Sequence, residues 1–279
     1  GGAKFDPSVY ISAVAGYYTA PNGQMLSFPF NSSTTVFYYN KDAFKAAGLD
    51  PEKAPTTWPE VFAAADKLKA GGHKCPFTTS WISWTQLESF SAWHNTLFAS
   101  HNNGFGGTAA RLAFNSPLHV RHFENLAKMA KNGTFVYKGR NNAADAAFPS
   151  GECAMMTGSS GLYARVAKDA KFLSDTKVQS ECHRRTGYLP ITTGAFKLTD
   201  ASGFYKDKPG TDVAVTQMIR KTTDKSRGIR LGNFVQIRTI VDEETEQIWA
   251  GKRSAKEALD AAVKRGNEQL ERFQKANRS

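Results

Sequence analysis

Short β-prone runs alternate with amphipathic helices along this chain of 279 residues. The alternation is typical of an α/β domain, in which each helix buries its apolar stripe against a sheet or another helix. Strands are predicted at residues 25–30, 34–39 and 152–157, and longer helical patterns at 60–70, 83–98, 117–132, 233–249 and 255–275. Because the helices outnumber the strands, the sequence predicts a helix-rich α/β fold with fewer strands than a doubly wound domain of this length would have.

Several helix ends carry local signals. Thr57-Trp58-Pro59-Glu60 forms a capping box with proline early in the first turn, and the helix that it opens ends at Gly71-Gly72. Ser116-Pro117 begins another helix, which ends at Asn132-Gly133. Shorter helices are predicted at 41–47, 161–168, 175–185 and 211–220.

The composition is that of a globular protein with a basic balance. The chain is 41% hydrophobic, has a mean hydropathy of −0.45 and carries a formal net charge of +11. That charge favours anionic partners such as a phosphorylated small molecule, although a basic pI is also a plain solubility property. No block of consecutive Lys and Arg suggests nucleic-acid binding, no apolar run has the length of a membrane helix, and the N-terminal residues GGAKFDPSVY lack the pattern of a signal peptide.

Catalytic and metal-binding patterns are weak. There is no GxSxG, P-loop or HExxH motif, so neither a catalytic site nor a cofactor is predicted. His119 and His122 share a helix face, but a metal site needs further ligands. The acidic residues of helix 233–249 are interpreted as a solvated face: Asp242, Glu243, Glu244 and Glu246.

Two segments stand out as ligand-facing candidates. Residues 27–40, SFPFNSSTTVFYYN, set Ser32 and Ser33 beside an aromatic β-prone run, and residues 186–192, TGYLPIT, place Tyr188 on a Gly/Pro loop. Two further pairs, Trp81 with Trp84 and Ser159 with Ser160, add indole and hydroxyl groups. Each of the three pairs has a structural alternative: the first can be a turn-forming serine pair, the second aromatic core packing with (i, i+3) spacing, and the third an ordinary N-cap.

Longer motifs carry a resemblance to a known family: FNSSTTVFYYNKDAFKAAGLDP, LESFSAWHNTLFAS, GECAMMTGSSG, TGYLPIT and GIRLGN. The chain resembles the extracytoplasmic solute-binding proteins of ABC importers, the type II "Venus flytrap" receptors, and among them the glycerol-3-phosphate-binding family. The resemblance implies a periplasmic, non-enzymatic protein whose partners are a small phosphorylated polyol and the membrane subunits of an ABC transporter. Glycerol-3-phosphate and glycerophosphodiesters such as glycerophosphocholine are the implied ligands.

The resemblance also assigns roles to individual residues. The serine hydroxyls are expected to donate to phosphate or glycerol oxygens, the indoles to stack on the polyol or choline group, and Arg230 to contact phosphate with its guanidinium. The implied ligand-binding set is Ser32, Ser33, Trp81, Trp84, Ser159, Ser160, Tyr188 and Arg230. There are three cysteines, and the residues alone allow each to be a buried free thiol. The resemblance implies a disulfide between Cys75 and Cys153, with Cys182 left unpaired where the family has tryptophan.

The match falls into two blocks, residues 1–172 and 173–279, joined where the family has a crossover to its other lobe. The resemblance therefore implies a single helix-rich C-terminal lobe, 1–279, of a flytrap fold. Such a lobe would expose an aromatic face and form a homodimer through it. Two other interpretations remain open: an engineered single-lobe fragment with little ligand binding, and a phosphoester-acting enzyme, against which the missing nucleophile and metal motifs count.

Overall fold

The computed structural model describes residues 6–20, 22–27, 29–163, 176–220 and 222–277. The chain divides into two compact units, each built from two separate stretches. Unit 1 comprises residues 1–36 and 159–228, and unit 2 comprises residues 37–158 and 229–279. The predicted join of the two sequence blocks, at Phe172 and Leu173, lies outside the described residues. Among the helices that are described, none combines the length and apolar character needed to cross a membrane.

Among the described residues, three strands form one small sheet. They are β1 (Thr35–Tyr39), β2 (Phe77–Thr79) and β3 (Met155–Ser159), hydrogen-bonded in the order β1-β3-β2. Strands β2 and β3 run parallel, with Phe77 opposite Met155. The predictions at 34–39 and 152–157 are thus confirmed to within a few residues. The strand predicted at 25–30 is wrong, because Leu26 and Phe30 are exposed and the described part of this run makes only an isolated bridge at Met25.

Helices make up most of the remaining described structure. In chain order they are α1 (Ser12–Tyr18), α2 (Lys41–Ala46), α3 (Trp58–Ala70), α4 (Ser89–Trp93), α5 (Pro117–Asn132), α6 (Thr176–Thr186), α7 (Thr193–Ala201), α8 (Phe204–Asp207), α9 (Val213–Ile219), α10 (Phe234–Trp249) and α11 (Ala255–Ala276). The capping box of Thr57 and Glu60 is present at α3, and α5 ends at Gly133 in the left-handed conformation. Both helix boundaries were predicted from the sequence.

The segment predicted as one helix at 83–98 is more complex. It begins as a π-helix at Ser83–Glu88 and continues as α4 only to Trp93. The chain then turns at Asn95, whose φ of +48° is left-handed. Of the helix predicted at 161–168, residues 164–168 lie outside the described residues; the segment begins with a 3-10 turn over Ser160–Leu162.

The two largest apolar clusters among the described residues lie in unit 2. One packs the C-terminal helices α10 and α11 around Leu87, Phe98, Phe114 and Phe123. The other lies between α3, α5 and the strands, with Phe44, Leu68, Phe77 and Met155 at its centre. Unit 1 is held by two smaller clusters, around Ile11 with Ile191 and around Leu189 with Val215.

A disulfide joins the starts of the two parallel strands. Cys75 precedes β2 and Cys153 precedes β3; their Cα atoms are 4.6 Å apart and both residues are buried. This is the pairing that the resemblance implied. Cys182, the remaining cysteine, is free and half-buried in α6.

The acidic residues of α10 are not a solvated face, so that interpretation is wrong. Asp242 and Glu244 are buried, with 7% and 5% exposure. Arg265 on α11 binds the carboxylates of both Glu243 and Glu244. Sequence periodicity places these residues on a helix but does not reveal that basic side chains from other segments cover them.

Candidate ligand-binding site

Three sequence-distant segments of unit 1 meet around the predicted serine and tyrosine residues. Leu189 N–H donates to Ser32 O at 3.0 Å, which ties residues 186–192 to the serine segment. Ser160 N–H donates to Thr34 O at 2.9 Å, and Thr34 N–H donates to Ser160 Oγ at 3.3 Å. The structure therefore brings Ser32, Ser33, Ser159, Ser160 and Tyr188 into neighbouring segments of one unit.

The two serine pairs differ in what their hydroxyls can do. Ser159 is half-buried and caps the 3-10 turn, since its side chain accepts from Gly161 N–H at 3.0 Å. Ser160 is 4% exposed, and its hydroxyl is already engaged by Thr34 N–H. Ser32 and Ser33 are both half-buried. The more accessible hydroxyls are therefore those of Ser32, Ser33 and Ser159, whereas Ser160 supports the segment from inside.

Tyr188 sits in a frame that leaves little room for additional atoms. A Cβ atom at Gly161 would lie 2.8 Å from Tyr188 Cζ, so the tyrosine ring lies directly against the glycine. Gly187 has a φ of +73°, and a Cβ atom there would lie 2.3 Å from Tyr163 Cβ. The two glycines thus allow the ring and the backbone of residue 188 to adopt this position.

The buried side chain of His183, which was not among the predicted ligand contacts, binds the backbone of Tyr188. His183 Nδ1 donates to Tyr188 O at 2.9 Å, and Tyr205 Oη donates to His183 Nε2 at 2.9 Å. Burial lowers the pKa of His183, which favours the neutral ring that this pair of bonds requires. The only sequence signal for this role is the position of His183, which lies late in a predicted helix and five residues before Tyr188.

Unit 2 carries the predicted tryptophans. Trp81 is 37% exposed and Trp84 is half-buried, so neither residue is fully enclosed in the core. Trp81 has a left-handed φ of +50°, which is unusual for a bulky residue. Its N–H donates to Asn141 O at 2.7 Å, and its carbonyl accepts from Trp84 N–H at 2.8 Å. The indole is therefore presented by a constrained turn between β2 and the π-helix.

A buried polar network lies beneath this turn. Gln86 Nε2 donates to Thr157 Oγ1 at 2.7 Å and to Thr79 Oγ1 at 3.1 Å, while Gln86 Oε1 accepts from His122 Nε2 at 3.0 Å. Thr79 is the last residue of β2 and Thr157 lies opposite it in β3, toward the carboxyl ends of the strands, where open α/β sheets bind their ligands. The network anchors the π-helix that follows Trp81 to the sheet.

His119 and His122 belong to the core rather than to a metal site. His119 contacts the hydroxyls of Ser91 and Ser116 at 2.9 and 2.7 Å, and His122 stacks on Phe90 with the ring centroids 4.1 Å apart. Burial lowers the pKa of His119 to about 4 and that of His122 to about 3. In the part of the chain that the structure describes, no group of His, Cys, Asp and Glu could hold a metal ion.

Arg230 lies on a loop of unit 2 that packs against a left-handed turn. Its guanidinium carbon is 4.5 Å from the centroid of the Phe105 ring, and its N–H donates to Asn103 O at 2.8 Å. Gly104 has a φ of +87°, and a Cβ atom there would lie 1.9 Å from Arg230 O. Stacking on an aromatic face fixes a guanidinium while its in-plane N–H groups remain suited to an anion.

A family model for bacterial extracellular solute-binding proteins matches residues 3–178. The sn-glycerol-3-phosphate-binding periplasmic protein UgpB of Salmonella paratyphi A is 45% identical over 327 residues, covering the whole of this chain and 75% of that protein. The UgpB protein of Brucella abortus is 44% identical over 313 residues, covering 96% of this chain and 72% of that protein.

Solved structures of the same architecture are similar over nearly the whole chain. UgpB from Mycobacterium tuberculosis in complex with glycerophosphocholine has a TM-score of 0.71 and 18% identity, covering 96% of this chain and 76% of that one. The cyclic α-maltosyl-1,6-maltose binding protein from Arthrobacter globiformis has a TM-score of 0.72 and 20% identity, covering 95% and 76%. At these identities the likeness shows the fold, which agrees with the predicted helix-rich α/β receptor architecture.

Proposed function

This chain belongs to the bacterial extracellular solute-binding proteins, and we propose that its solute is glycerol-3-phosphate or a glycerophosphodiester. Members of this family bind small molecules outside the cytoplasm and interact with the membrane subunits of ABC importers. The chain is accordingly an extracytoplasmic binding component and not an enzyme. The identity of its ligand and the residues that contact it are the proposal developed below.

The observation that carries the proposal is the meeting of the serine and tyrosine segments in unit 1. Hydroxyls on half-buried serines next to a fixed tyrosine suit a ligand rich in oxygen atoms, which accept and donate hydrogen bonds. Relatives at 45% identity are sn-glycerol-3-phosphate-binding proteins, which narrows the proposed ligands to glycerol-3-phosphate and its esters. The net charge of +11 favours the approach of an anion.

Unit 2, taken by itself, carries further side chains for which ligand roles are proposed. Arg230, stacked on Phe105, is suited to a bidentate contact with phosphate oxygens. Trp81 presents an indole that can stack on a polyol or on the quaternary ammonium of a choline group. In this proposal the arginine recognises phosphate and the tryptophans recognise the organic group attached to it.

Calorimetry on the full chain tests which solute it binds. Titrations use glycerol-3-phosphate, glycerophosphocholine, inorganic phosphate and maltose, the last as an uncharged sugar. We expect heat from the first two, and a loss of affinity of about tenfold to a hundredfold in Arg230→Ala, because a hydrogen bond to a charged group contributes about 1.5–3 kcal/mol. Arg227→Ala, a neighbouring basic residue of the same unbroken loop, is the matched control. Binding of maltose but of neither phosphorylated ligand would exclude the proposal.

We further propose that this chain lacks an internal segment that its relatives contain, at the join of residues 172 and 173. In support, the alignment to the Salmonella protein extends over 327 residues, more than the 279 of this chain, so some aligned positions have no residue here. Tryptic mapping tests the join directly. The peptide Phe172–Lys177, FLSDTK, exists only if Phe172 is bonded to Leu173, and its absence from a complete map would contradict the proposal.

A homodimer remains part of the proposal. Exposed aromatic side chains such as Phe30, at 54%, and Trp81, at 37%, offer apolar surface to a second copy. Light scattering across a concentration series measures the mass. A constant monomer mass at the highest concentration would exclude self-association, and a mass that falls when ligand is added would place the contact on the binding surface.

A further inference from the structure

One face of α10 carries three charged residues with a spacing of four: Arg238, Asp242 and Glu246. On a helix this spacing places them in a row, which we call the charged stripe. The sequence pattern alone indicated a solvated face for its acidic members. The structure instead has the stripe in contact with two other segments of unit 2, one at each end.

The N-terminal end of the stripe holds the π-helix. Arg238 Nε and Nη2 donate to the two carboxylate oxygens of Glu88 at 2.7 and 2.6 Å. The Glu88 side chain is only 7% exposed, and Glu88 is the last residue of the π-helix Ser83–Glu88. A planar fork of this kind fixes both the position and the orientation of the carboxylate.

The C-terminal end of the stripe holds the loop that binds Trp81. Arg140 Nε and Nη2 donate to the carboxylate of Glu246 at 2.7 and 2.5 Å, and Tyr137 Oη donates to Glu246 Oε1 at 3.0 Å. Asn141, the next residue after Arg140, accepts the N–H of Trp81 through its carbonyl oxygen at 2.7 Å. Asn141 has a left-handed φ of +51°, close to the +50° of Trp81.

Asp242 lies in the middle of the stripe and is 7% exposed. The charges of Arg140, Arg238, Glu88 and Glu246 all act on its carboxyl group. Burial is the largest influence and raises the pKa of Asp242 to about 6. The stripe with its partners is thus one connected set of charges that reaches from the π-helix to the 137–141 loop.

We propose that the charged stripe of α10 positions Trp81, because it fixes both of the segments that hold the left-handed Trp81 turn. Positive φ is strained for a bulky residue and persists only where surrounding structure determines it. Ion pairs that are partly buried are weak evidence for a gain in stability, since their desolvation offsets their attraction. Arg238, Asp242 and Glu246 are in this inference positioning residues, which set the aromatic surface without touching a ligand. Its consequence for binding rests on the proposed function of Trp81.

Fluorine NMR of the full chain labelled with 5-fluorotryptophan tests the proposal without ligand. The chain has five tryptophans, and Trp81→Phe assigns the resonance of Trp81. We expect Glu246→Gln and Arg238→Gln to shift or broaden that resonance. Arg265→Gln is the matched control, because Arg265 also pairs with two carboxylates of α10, those of Glu243 and Glu244, away from the stripe. An unchanged Trp81 resonance in both stripe variants would overturn the proposal.

A milder variant covers the case in which charge removal prevents folding. Arg140→Lys keeps the positive charge but cannot form two parallel N–H···O bonds, so it should fold, move the Trp81 resonance and raise the Kd for glycerol-3-phosphate about tenfold. If Arg238→Gln, Glu246→Gln and Arg140→Lys all unfold while the Arg265→Gln chain folds, the stripe and its partners serve the fold and the proposal is wrong. Failure of the wild-type chain to bind glycerol-3-phosphate would refute the ligand assignment alone, because the NMR result does not depend on it.

Discussion

Gly161 lies directly against the ring of Tyr188. A Cβ atom built at residue 161 would lie 2.8 Å from Cζ, 2.9 Å from Cε1 and 3.2 Å from Oη of that ring. The close atoms belong to the free end of a side chain, which can move, and not to the backbone. A methyl group at this position therefore displaces the tyrosine ring from its place beside the serine segments.

Gly161→Ala should weaken binding of glycerol-3-phosphate with little effect on stability. If Tyr188 contacts the ligand as proposed, the displaced ring loses that contact, while the free energy of unfolding changes by only about 1 kcal/mol or less, because the close atoms belong to a side chain that can move. Calorimetry and thermal unfolding measure the two effects. Gly16→Ala is the control: it adds a methyl group inside α1 where nothing lies within 4 Å, and should leave affinity unchanged. Equal affinity in wild type and Gly161→Ala would contradict a ligand contact by Tyr188.

Gly187→Ala should behave in the opposite way and destabilise the protein. Residue 187 has a φ of +73°, and the new Cβ atom would lie 2.3 Å from Tyr163 Cβ and 2.5 Å from Ser160 O. Conformational strain of about 1–3 kcal/mol is expected before the steric clash is added. Gly203→Ala measures the backbone strain without the clash, because residue 203 has a φ of +78° and nothing lies within 4 Å of the added Cβ atom. Urea unfolding measures the loss of stability in both variants. Equal losses would show that residue 163 moves to make room for the new methyl group.

Thiol titration should find one free thiol in the unfolded, unreduced chain, that of Cys182. The disulfide of Cys75 and Cys153 closes a loop with a sequence separation of 78 residues. By the chain-entropy account its reduction should lower the free energy of unfolding by about 2–5 kcal/mol. Cys182→Ser is the control, which should titrate as zero thiols and unfold as the wild type does. Three thiols in the wild-type chain would contradict the pairing.

Acid should destabilise the protein through His119 and His122. Their pKa values in the folded chain, about 4 and about 3, lie below the usual 6.5, so the unfolded chain takes up protons first as the pH falls. Stability that is complete above pH 6.5 is therefore lost on acidification toward pH 4, by about 1.4 kcal/mol per pH unit for each histidine. Asp242 acts in the opposite sense, because its pKa is raised to about 6 and its ionisation costs stability as the pH rises from about 4.

Removing Asp242 separates these contributions. Asp242→Asn should make the loss of stability between pH 6.5 and 4.5 steeper than in the wild type, as measured by urea unfolding at fixed salt. Carbon-13 NMR titration of the imidazoles gives the two histidine pKa values independently. A flat stability curve in Asp242→Asn over this range would show that neither histidine is buried as the structure has it.

Local sequence signals predicted helices well where the helix end is determined by its own residues. The capping box at Thr57 and Glu60 and the glycine at 133 each satisfy backbone groups within a few residues, so no tertiary information is needed. The π-helix at Ser83–Glu88 could not be predicted in this way. Its wider turn is held by Gln86 and Glu88, whose partners Thr157 and Arg238 are 71 and 150 residues away.

The residues of the candidate site likewise divide into those that local sequence signals indicate and those that depend on distant segments. Ser32, Ser33 and Tyr188 could be selected because serine pairs and a Gly/Pro-framed tyrosine are unusual beside apolar runs. The residues that fix them, Gly161 and His183, look ordinary in the sequence. Their roles depend on packing and on hydrogen bonds that form only when three separate segments meet, which no local pattern encodes.

The interleaved order of the two units has a consequence for how the chain matures. The apolar cluster around Leu87, Phe98 and Phe123 is completed by Ile237 and Leu259, which belong to the second of the two stretches that form unit 2. Until that stretch arrives, unit 2 exposes its aromatic interior and its contacts between distant residues cannot form. Unit 2 therefore closes its core only after residues 159–228, the second stretch of unit 1, have been made.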